Sequence, residues 1–380
     1  FYLQRCGDAK IKDPDFSHPA CHMGKATNFP NNNIFVDVTG GWHDAGDYGR
    51  YVVPGAKAAC DLMLTYENYP SALADHDVLA EVKYELDWMK KMQTKDGSVY
   101  HKVTCTTFPD VVMPEDEKAQ LVVTSISTTA TADFAATMAM ASRIYNNPEY
   151  KALAEKAWSF LESNPDYTKG FANPIGLTTG AYDDREDADE KFWALAEMYK
   201  SFKDPKYLEQ LKKIDLDKVA NGACLGWQQV GLYGMYALLT SDAPKDDFYD
   251  SVLKRFNKKV EIEYSKIAAD AYSVALAEND YVWGSNMSVA NNGMLFLLAN
   301  KVEPNKNYVK MKNVITNPEA HDSFLFGSLS NKRRYVVSSY PNLLSAVKPF
   351  TRSLTLMPRY INLPKSGTSF PSSILVATTI

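Results

Sequence analysis

The sequence predicts an all-α fold of helical hairpins packed as a toroid, and three observations carry that prediction. Eight windows place apolar residues at i, i+3, i+4 and i+7, the period of one helix face. Gly, Asn, Asp and Pro gather between those windows, as loops require. Strand patterns are few, the best being residues 33–38 and 121–124. A plain helical bundle or a solenoid is the alternative, and no fixed-period repeat demands the solenoid.

The windows run near residues 54–69, 77–93, 128–146, 148–163, 187–203, 222–240, 245–263 and 286–301. Ser127 and Thr128 precede the Ala-rich third window, and Pro148-Glu149 opens the fourth. Asp187, Asp189 and Glu190 load carboxylates onto the first turn of the fifth, where they suit the positive end of the helix dipole.

Composition narrows the function. The chain has 380 residues, 45% of them hydrophobic, enough for a large core. A net charge of −5 argues against nucleic acid as a partner, because phosphate binding needs a basic face. No apolar run approaches the roughly 18 residues that span a membrane. Aromatic residues reach 12%, which suits stacking on sugar rings, although such rings also dominate cores. The chain opens at Phe1-Tyr2-Leu3 without Met or a basic leader, and reads as a mature product or an excised fragment. Its five cysteines, Cys6, Cys21, Cys60, Cys105 and Cys224, are an odd set that cannot pair completely within the chain.

The last segment departs from the rest. Residues 328–380 contain no Asp, Glu or His but seven Lys and Arg, so this tail carries +7 against −12 for residues 1–327. Ser, Thr and Pro crowd it and helical periodicity fades. It reads as a basic irregular extension or, the reading preferred here, as something other than the native continuation.

The run from Asp37 to Val52 carries the chemistry. Asp44 and Asp47 stand three apart in a segment with four glycines. Gly46 and Gly49 disfavour a regular helix and allow positive φ and close approach to a ligand. Such a loop can aim both carboxylates at one water, one taking its proton while the other holds its second hydrogen. An Asp-rich turn that caps the helix after Pro54, or that binds calcium, is the competing reading.

Cys6, Cys21, His22 and His43 offer two thiolates and two imidazoles, a set that suits tetrahedral zinc. The spacing is not the short Cys-x-x-Cys of a finger. A Cys6–Cys21 disulfide, and a His43 that merely packs beside the loop, compete with it. Trp227 and Trp283 sit near helix starts and are candidates for stacking on glucosyl rings, with core packing as the rival reading. The acidic run Asp183-Asp184-Arg185-Glu186-Asp187 could bind calcium or be a solvated helix start.

The string Asp44-Ala45-Gly46-Asp47 within its Gly-Gly-Trp-His context resembles the signature of glycoside hydrolase family nine. Phe1 to Gly7, Phe108-Pro109-Asp110, Ser127 to Ala136, Phe192-Trp193-Ala194 and Tyr281 to Asn286 extend the resemblance, in order, over about residues 1–327. It implies an (α/α)6 barrel of six helical hairpins over 1–327, its final hairpin put in doubt by the tail at 328–380. It implies inverting hydrolysis of β-1,4-glucosidic bonds in cellulose or related β-glucans, with Asp47 as the base and Asp44 positioning the same water. An exo-acting hydrolase of cello-oligosaccharides or glucosamine oligomers is an alternative, as is a catalytically impaired glycan-binding relative. The resemblance further implies a structural zinc on Cys6, Cys21, His22 and His43, clamping the N-terminal segment onto the loop of Asp44 and Asp47. No organic cofactor is expected, and calcium is a further candidate. A secreted protein, from a subgroup with a preceding immunoglobulin-like domain that this chain lacks, is also implied. In the family the general acid is a Glu near the C-terminus of the module. The tail holds no such residue, so no acid is assigned, and weak activity or none is expected.

Overall fold

A computed structural model describes residues 1–8, 11–13, 17–219, 225–270, 274–281 and 285–305. Trp283, Cys224 and the whole of the 328–380 tail lie outside the described residues. The described residues fall into two compact units, one of residues 1–219 and 227–243, the other of residues 225–226 and 244–305.

In the first unit seven helices follow one another: α1 (Val52–Asn68), α2 (Val78–Met92), α3 (Thr128–Ile144), α4 (Pro148–Ser163), α5 (Ala188–Phe202), α6 (Pro205–Leu211) and α7 (Gly231–Leu239). Their contacts alternate. α1 packs on α3, α3 on α5 and α5 on α7, while α2 lies against α1, α4 against α3 and α6 against α5. Alternate helices thus form an inner row, and each of the first three carries an outer partner.

Sequence chemistry sorts the helices into these rows. α3 is buried at every position from Thr128 to Ala141, and all nine residues of α7 are buried. A helix that is apolar or small all round belongs inside. The Ala-rich face of α3 lets its neighbours approach closely. Outer helices bury one stripe only: α2 buries Val78, Val82, Glu85, Leu86 and Met89, and α4 buries Tyr150, Ala154, Ala157, Trp158 and Leu161. Each fully buried Leu, Met or Phe contributes about 1.5–3 kcal/mol over its exposed state.

Two helices, α3 and α4, start and are capped where the sequence places their start signals. Ser127 Oγ accepts from Ala130 N at 3.1 Å, and Asn147 Oδ1 accepts from Glu149 N at 2.9 Å ahead of Pro148. Asp187 precedes α5 without a capping bond and instead pairs with Lys191 at 2.8 Å.

The first unit also holds a small sheet. Its strands are β1 (Ala26–Asn28), β2 (Phe35–Val36), β3 (Arg50–Tyr51), β4 (Lys102–Thr104) and β5 (Val122–Val123), in the order β2-β1-β5-β4-β3. β1 and β5 run parallel, and the other pairs are antiparallel. The β3–β4 register sets Tyr51 opposite Lys102.

The second unit contains α8 (Asp247–Ala269) and α9 (Ser285–Val302), which pack together. Buried Glu263 on α8 pairs with Lys259 and Lys266 at 3.1 and 2.9 Å, and accepts from Asn292 Nδ2 on α9 at 3.1 Å.

Candidate active site

The loops that precede the inner helices carry the candidate residues of the first unit. Asp44 and Asp47 lie before α1, residues 101–127 before α3, Tyr182 before α5 and Trp227 before α7. Helix N-termini present unpaired N–H groups and positive potential, a setting that favours carboxylates and polarised ligands.

The loop bearing Asp44 and Asp47 is held tightly. Asp44 N donates to Gly49 O at 2.9 Å and Tyr48 N to Ala45 O at 3.1 Å. Positive φ falls on Gly40 (103°), Gly41 (81°) and Tyr48 (53°), not on Gly46 or Gly49 as the sequence predicts. Gly49 is needed for a different reason: a Cβ there would stand 2.6 Å from the Tyr51 hydroxyl. Neither Asp caps α1, whose N-cap is Tyr51.

Both carboxylates are buried, and each is oriented by a tyrosine. Tyr51 Oη donates to Asp47 Oδ2 at 2.5 Å, and Tyr182 Oη donates to Asp44 Oδ1 at 2.7 Å. The two tyrosine rings lie 4.7 Å apart, and Trp227 stands edge-on to Tyr182 at 5.0 Å. Asp44, Asp47 and Trp227 are thereby brought into one neighbourhood. Burial, then repulsion by Asp47, pushes Asp44 up to about 7 against the opposing bond from Tyr182. Burial and the two carboxylates push both tyrosine hydroxyls well above their ordinary range, so each stays a donor.

The segment leading into Tyr182 is fixed by His101 and by Lys102 at the start of β4. His101 Nε2 meets Ala181 O at 3.1 Å and its Nδ1 meets Ser127 Oγ at 2.9 Å. A carbonyl only accepts, so Nε2 carries the proton and Nδ1 accepts from the serine. The His101 ring stacks on Phe171 at 3.7 Å, and burial brings its pKa down to about 3. Lys102 Nζ donates to Asn173 Oδ1 at 2.7 Å and to Gly180 O. Sequence reasoning missed Tyr182, His101 and Lys102. Tyr51 stood inside the motif, four residues after Asp47.

Cys6, Cys21, His22 and His43 converge, with their ligand atoms all within 4.8 Å of one another. This is the one such group of three or more among the described residues. Cys6 and Cys21 are free thiols, not a disulfide. Cys21 Sγ lies 3.7 Å from His43 Nε2, and neither ring nitrogen of His22 has a hydrogen-bond partner. Burial holds His43 below its usual range, hence neutral, the form that ligates a metal. The N-terminal segment runs along the loop of Asp44 and Asp47 through Cys6 N to Gly41 O at 2.7 Å and His43 N to Gln4 O at 2.7 Å. Glu81 and Glu85 of α2 receive Trp42 Nε1 and Trp42 N, each at 2.7 Å.

The acidic run behaves differently from a solvated helix start. Asp183, Arg185 and Glu186 are exposed, but Asp187 is buried, as are Asp189 and Glu190 beyond it. Both carboxylate oxygens of Glu190 and of Asp133 lack a hydrogen-bond partner, and burial pushes both acids well above their ordinary range. Phe192 and Trp193 are fully buried on α5, so they serve the core.

The chain is similar to several known proteins. The chain is 35% identical over 348 residues to a cellodextrinase of Butyrivibrio fibrisolvens, covering 81% of this chain and 62% of that protein. It is 34% identical over 347 residues to endoglucanase D of Acetivibrio thermocellus, covering 81% and 53%. The chain therefore spans between half and two thirds of these relatives' lengths. Among solved structures, a single mutant of a thermostable endoglucanase from Alicyclobacillus acidocaldarius superposes with a TM-score of 0.76 at 32% identity, over 82% of this chain and 63% of that one. A zinc-binding triple mutant of another family 9 endoglucanase superposes at 0.75 and 32%, over 83% and 64%. The family model described as glycosyl hydrolase family 9 matches residues 1–355, and the chain belongs to that family.

Proposed function

We propose that this chain hydrolyses β-1,4-glucosidic bonds of cellulose or related β-glucans with inversion, on a barrel of the (α/α)6 kind. Asp47 takes the proton of the attacking water and Asp44 holds the same water. The observation that carries the reading is the paired orientation of the carboxylates, Tyr51 holding Asp47 and Tyr182 holding Asp44 side by side. Trp227, against Tyr182, is suited to stack on a glucosyl ring. Inversion needs water on the sugar face opposite the leaving group, whose oxygen receives a proton from a separate acid. Residues 328–380 contain no Asp or Glu, so they supply no such acid.

The test is hydrolysis of cellohexaose followed by NMR of the newly formed anomeric centre. The expected first product is the α-anomer, and Asp47→Asn should reduce turnover by about 10²–10⁴-fold, the share of a general base. A β-anomer product, or full activity in Asp47→Asn, would refute the mechanism. The acid-free tail favours one second reading, a glycan-binding relative without turnover. Calorimetric binding of cellohexaose with no product formed would select it.

The metal readings divide on fit. Two thiols, a neutral His43 and a His22 without hydrogen-bond partners fit zinc, and Cys6, Cys21, His22 and His43 would hold it. Bound there, zinc would supply structural cross-linking between the N-terminal segment and the catalytic loop. Calcium fits less well. The run Asp183-Asp184-Arg185-Glu186-Asp187 has the right oxygen chemistry, but among the described residues its carboxylates do not form a group that could hold an ion. Secretion, and a preceding immunoglobulin-like domain, remain proposals that rest on the likeness to cellulases.

A further inference from the structure

Tyr182, whose hydroxyl donates to Asp44, sits in the left-handed region with φ at 46°. A bulky residue keeps that conformation only where its surroundings over-determine it. Carbonyls on both sides of Tyr182 supply the restraint. Ala181 O accepts from His101 Nε2 at 3.1 Å, and Asp184 O accepts from Phe171 N at 2.6 Å. His101 and Phe171 act as one unit, because their buried rings stack at 3.7 Å and 9° from parallel. Each half of the pair hangs from the first turn of α3. Ser127 Oγ, which caps that helix, donates to His101 Nδ1 at 2.9 Å. Thr128 Oγ1 accepts from Gly170 N, one residue before Phe171, at 2.8 Å. The His101 backbone is fixed too: its N–H donates to Ser125 O at 3.2 Å, and its carbonyl accepts from Val52 N at 3.0 Å.

We propose that His101 is a positioning residue: stacked on Phe171, it holds Tyr182 in its left-handed conformation and so keeps the tyrosine hydroxyl on Asp44. The inference rests on reading Asp44 as the holder of the attacking water. Its physical basis is the peptide plane. Ala181 C=O and Tyr182 N belong to one rigid unit, and φ of Tyr182 measures how that unit turns about the N–Cα bond. A donor on Ala181 O therefore fixes the very angle that is strained. Without it the plane can turn, φ can relax to negative values, and the side chain swings away from Asp44. Phe171 N closes the far side of the same turn at Asp184 O, so the stacked rings brace both ends. The acid pair is thereby aligned from α3, the helix buried at every position from Thr128 to Ala141.

The experiment reads the Tyr182 hydroxyl directly. Protein labelled with 13C at the tyrosine ζ carbon, whose shift reports hydroxyl bonding, is recorded by NMR at neutral pH. The Tyr182 resonance is assigned by its loss in Tyr182→Phe. His101→Phe keeps a flat ring on Phe171 but offers no donor, and it should move the Tyr182 resonance by more than its linewidth. His101→Gln carries an amide nitrogen to the place of Nε2 and should leave the resonance near its wild-type position. In turnover, His101→Phe should lower kcat on the order of tenfold while KM changes less than about twofold. Placed on Tyr182→Phe, the same change should add less than about twofold, since both act through one bond. A Tyr182 resonance unmoved in folded His101→Phe, or moved equally in His101→Gln, would overturn the proposal. So would a full further loss of kcat in the double variant, an effect that bypasses Tyr182. Should His101→Phe fail to fold, Phe171→Leu decides: without its stacked face the clamp should loosen and the Tyr182 resonance should shift, and an unmoved one would overturn the proposal. The spectra need no turnover, so an absence of hydrolysis would count against the reading of the acid pair, and an unmoved resonance against His101.

Discussion

Tyr51 and Tyr182, 131 positions apart in the chain, meet ring to ring at 4.7 Å and send their hydroxyls to different members of one acid pair. Tyr182→Phe removes only an oxygen, yet it leaves the Asp44 carboxylate buried without its donor. An unmet buried acceptor costs about 1–3 kcal/mol. The variant should lose on the order of tenfold in kcat, the rate equivalent of about 1.4 kcal/mol. It should melt lower while keeping its far-UV circular dichroism. Wild-type kcat in Tyr182→Phe would separate this tyrosine from the chemistry.

Chelation tests the Cys6, Cys21, His22 and His43 set. A strong zinc chelator should lower the melting temperature of the metal-loaded protein by several degrees, and dialysis against zinc should restore it. Cys21→Ser and His22→Ala should melt low at the outset and ignore the chelator. Equal melting with and without chelator, in protein shown by elemental analysis to contain zinc, would rule out a structural role.

His101 makes stability depend on acid. Its folded pKa is lowered to about 3 from an ordinary 6.5, so the fold prefers the neutral ring. That preference contributes fully above pH 6.5 and is lost as pH falls toward 3. Glu190 and Asp133 shift the other way and gain with acid, so only a comparison isolates the histidine. The stability gap between wild type and His101→Gln should shrink by up to about 5 kcal/mol between pH 6.5 and 3. A constant gap across that range would mean that the ring is not held neutral.

Gly41 should tolerate no side chain. Its φ is +81°, and a Cβ would lie 2.7 Å from the Trp88 ring. Left-handed strain and overpacking each cost about 1–3 kcal/mol, so Gly41→Ala should unfold at markedly lower denaturant. Gly46→Ala, where φ is not positive, should be milder. The reverse order would mean that the loop is held elsewhere.

The contrast between those two glycines marks where sequence reading stops. The motif placed Asp44 and Asp47 on a special loop, but which glycine bends depends on Trp88, 47 positions beyond Gly41. Helices with a buried stripe were legible to within about two residues, as α2 and α4 were. α6 was missed because seven residues hold too little of a period to register. α7 starts at Gly231, well after the window that begins at 222, because a segment apolar on every side offers no edge to mark its start. The strand patterns at 33–38 and 121–124 fall on β2 and β5, whereas β1, β3 and β4, of two or three residues each, are too short to show an alternation. Tyr182 reaches Asp44 across 138 positions, and nothing local to either residue announces that bond. The four metal-ligand candidates stood out by residue type, but their spacing, set by the N-terminal segment lying along the loop, matched no short metal motif, and resemblance to a family strengthened the reading.

α3, enclosed over fourteen consecutive residues by α1, α4 and α5, gives the molecule an internal clock. Its amides have no route to solvent through local fraying. Deuterium should enter them only when the whole unit opens, whereas the exposed flank of α4 should exchange by small excursions. The slowest-exchanging amides of this helix would therefore measure the unit's opening free energy without denaturant, and any ligand that slowed them would be gripping the fold as a whole.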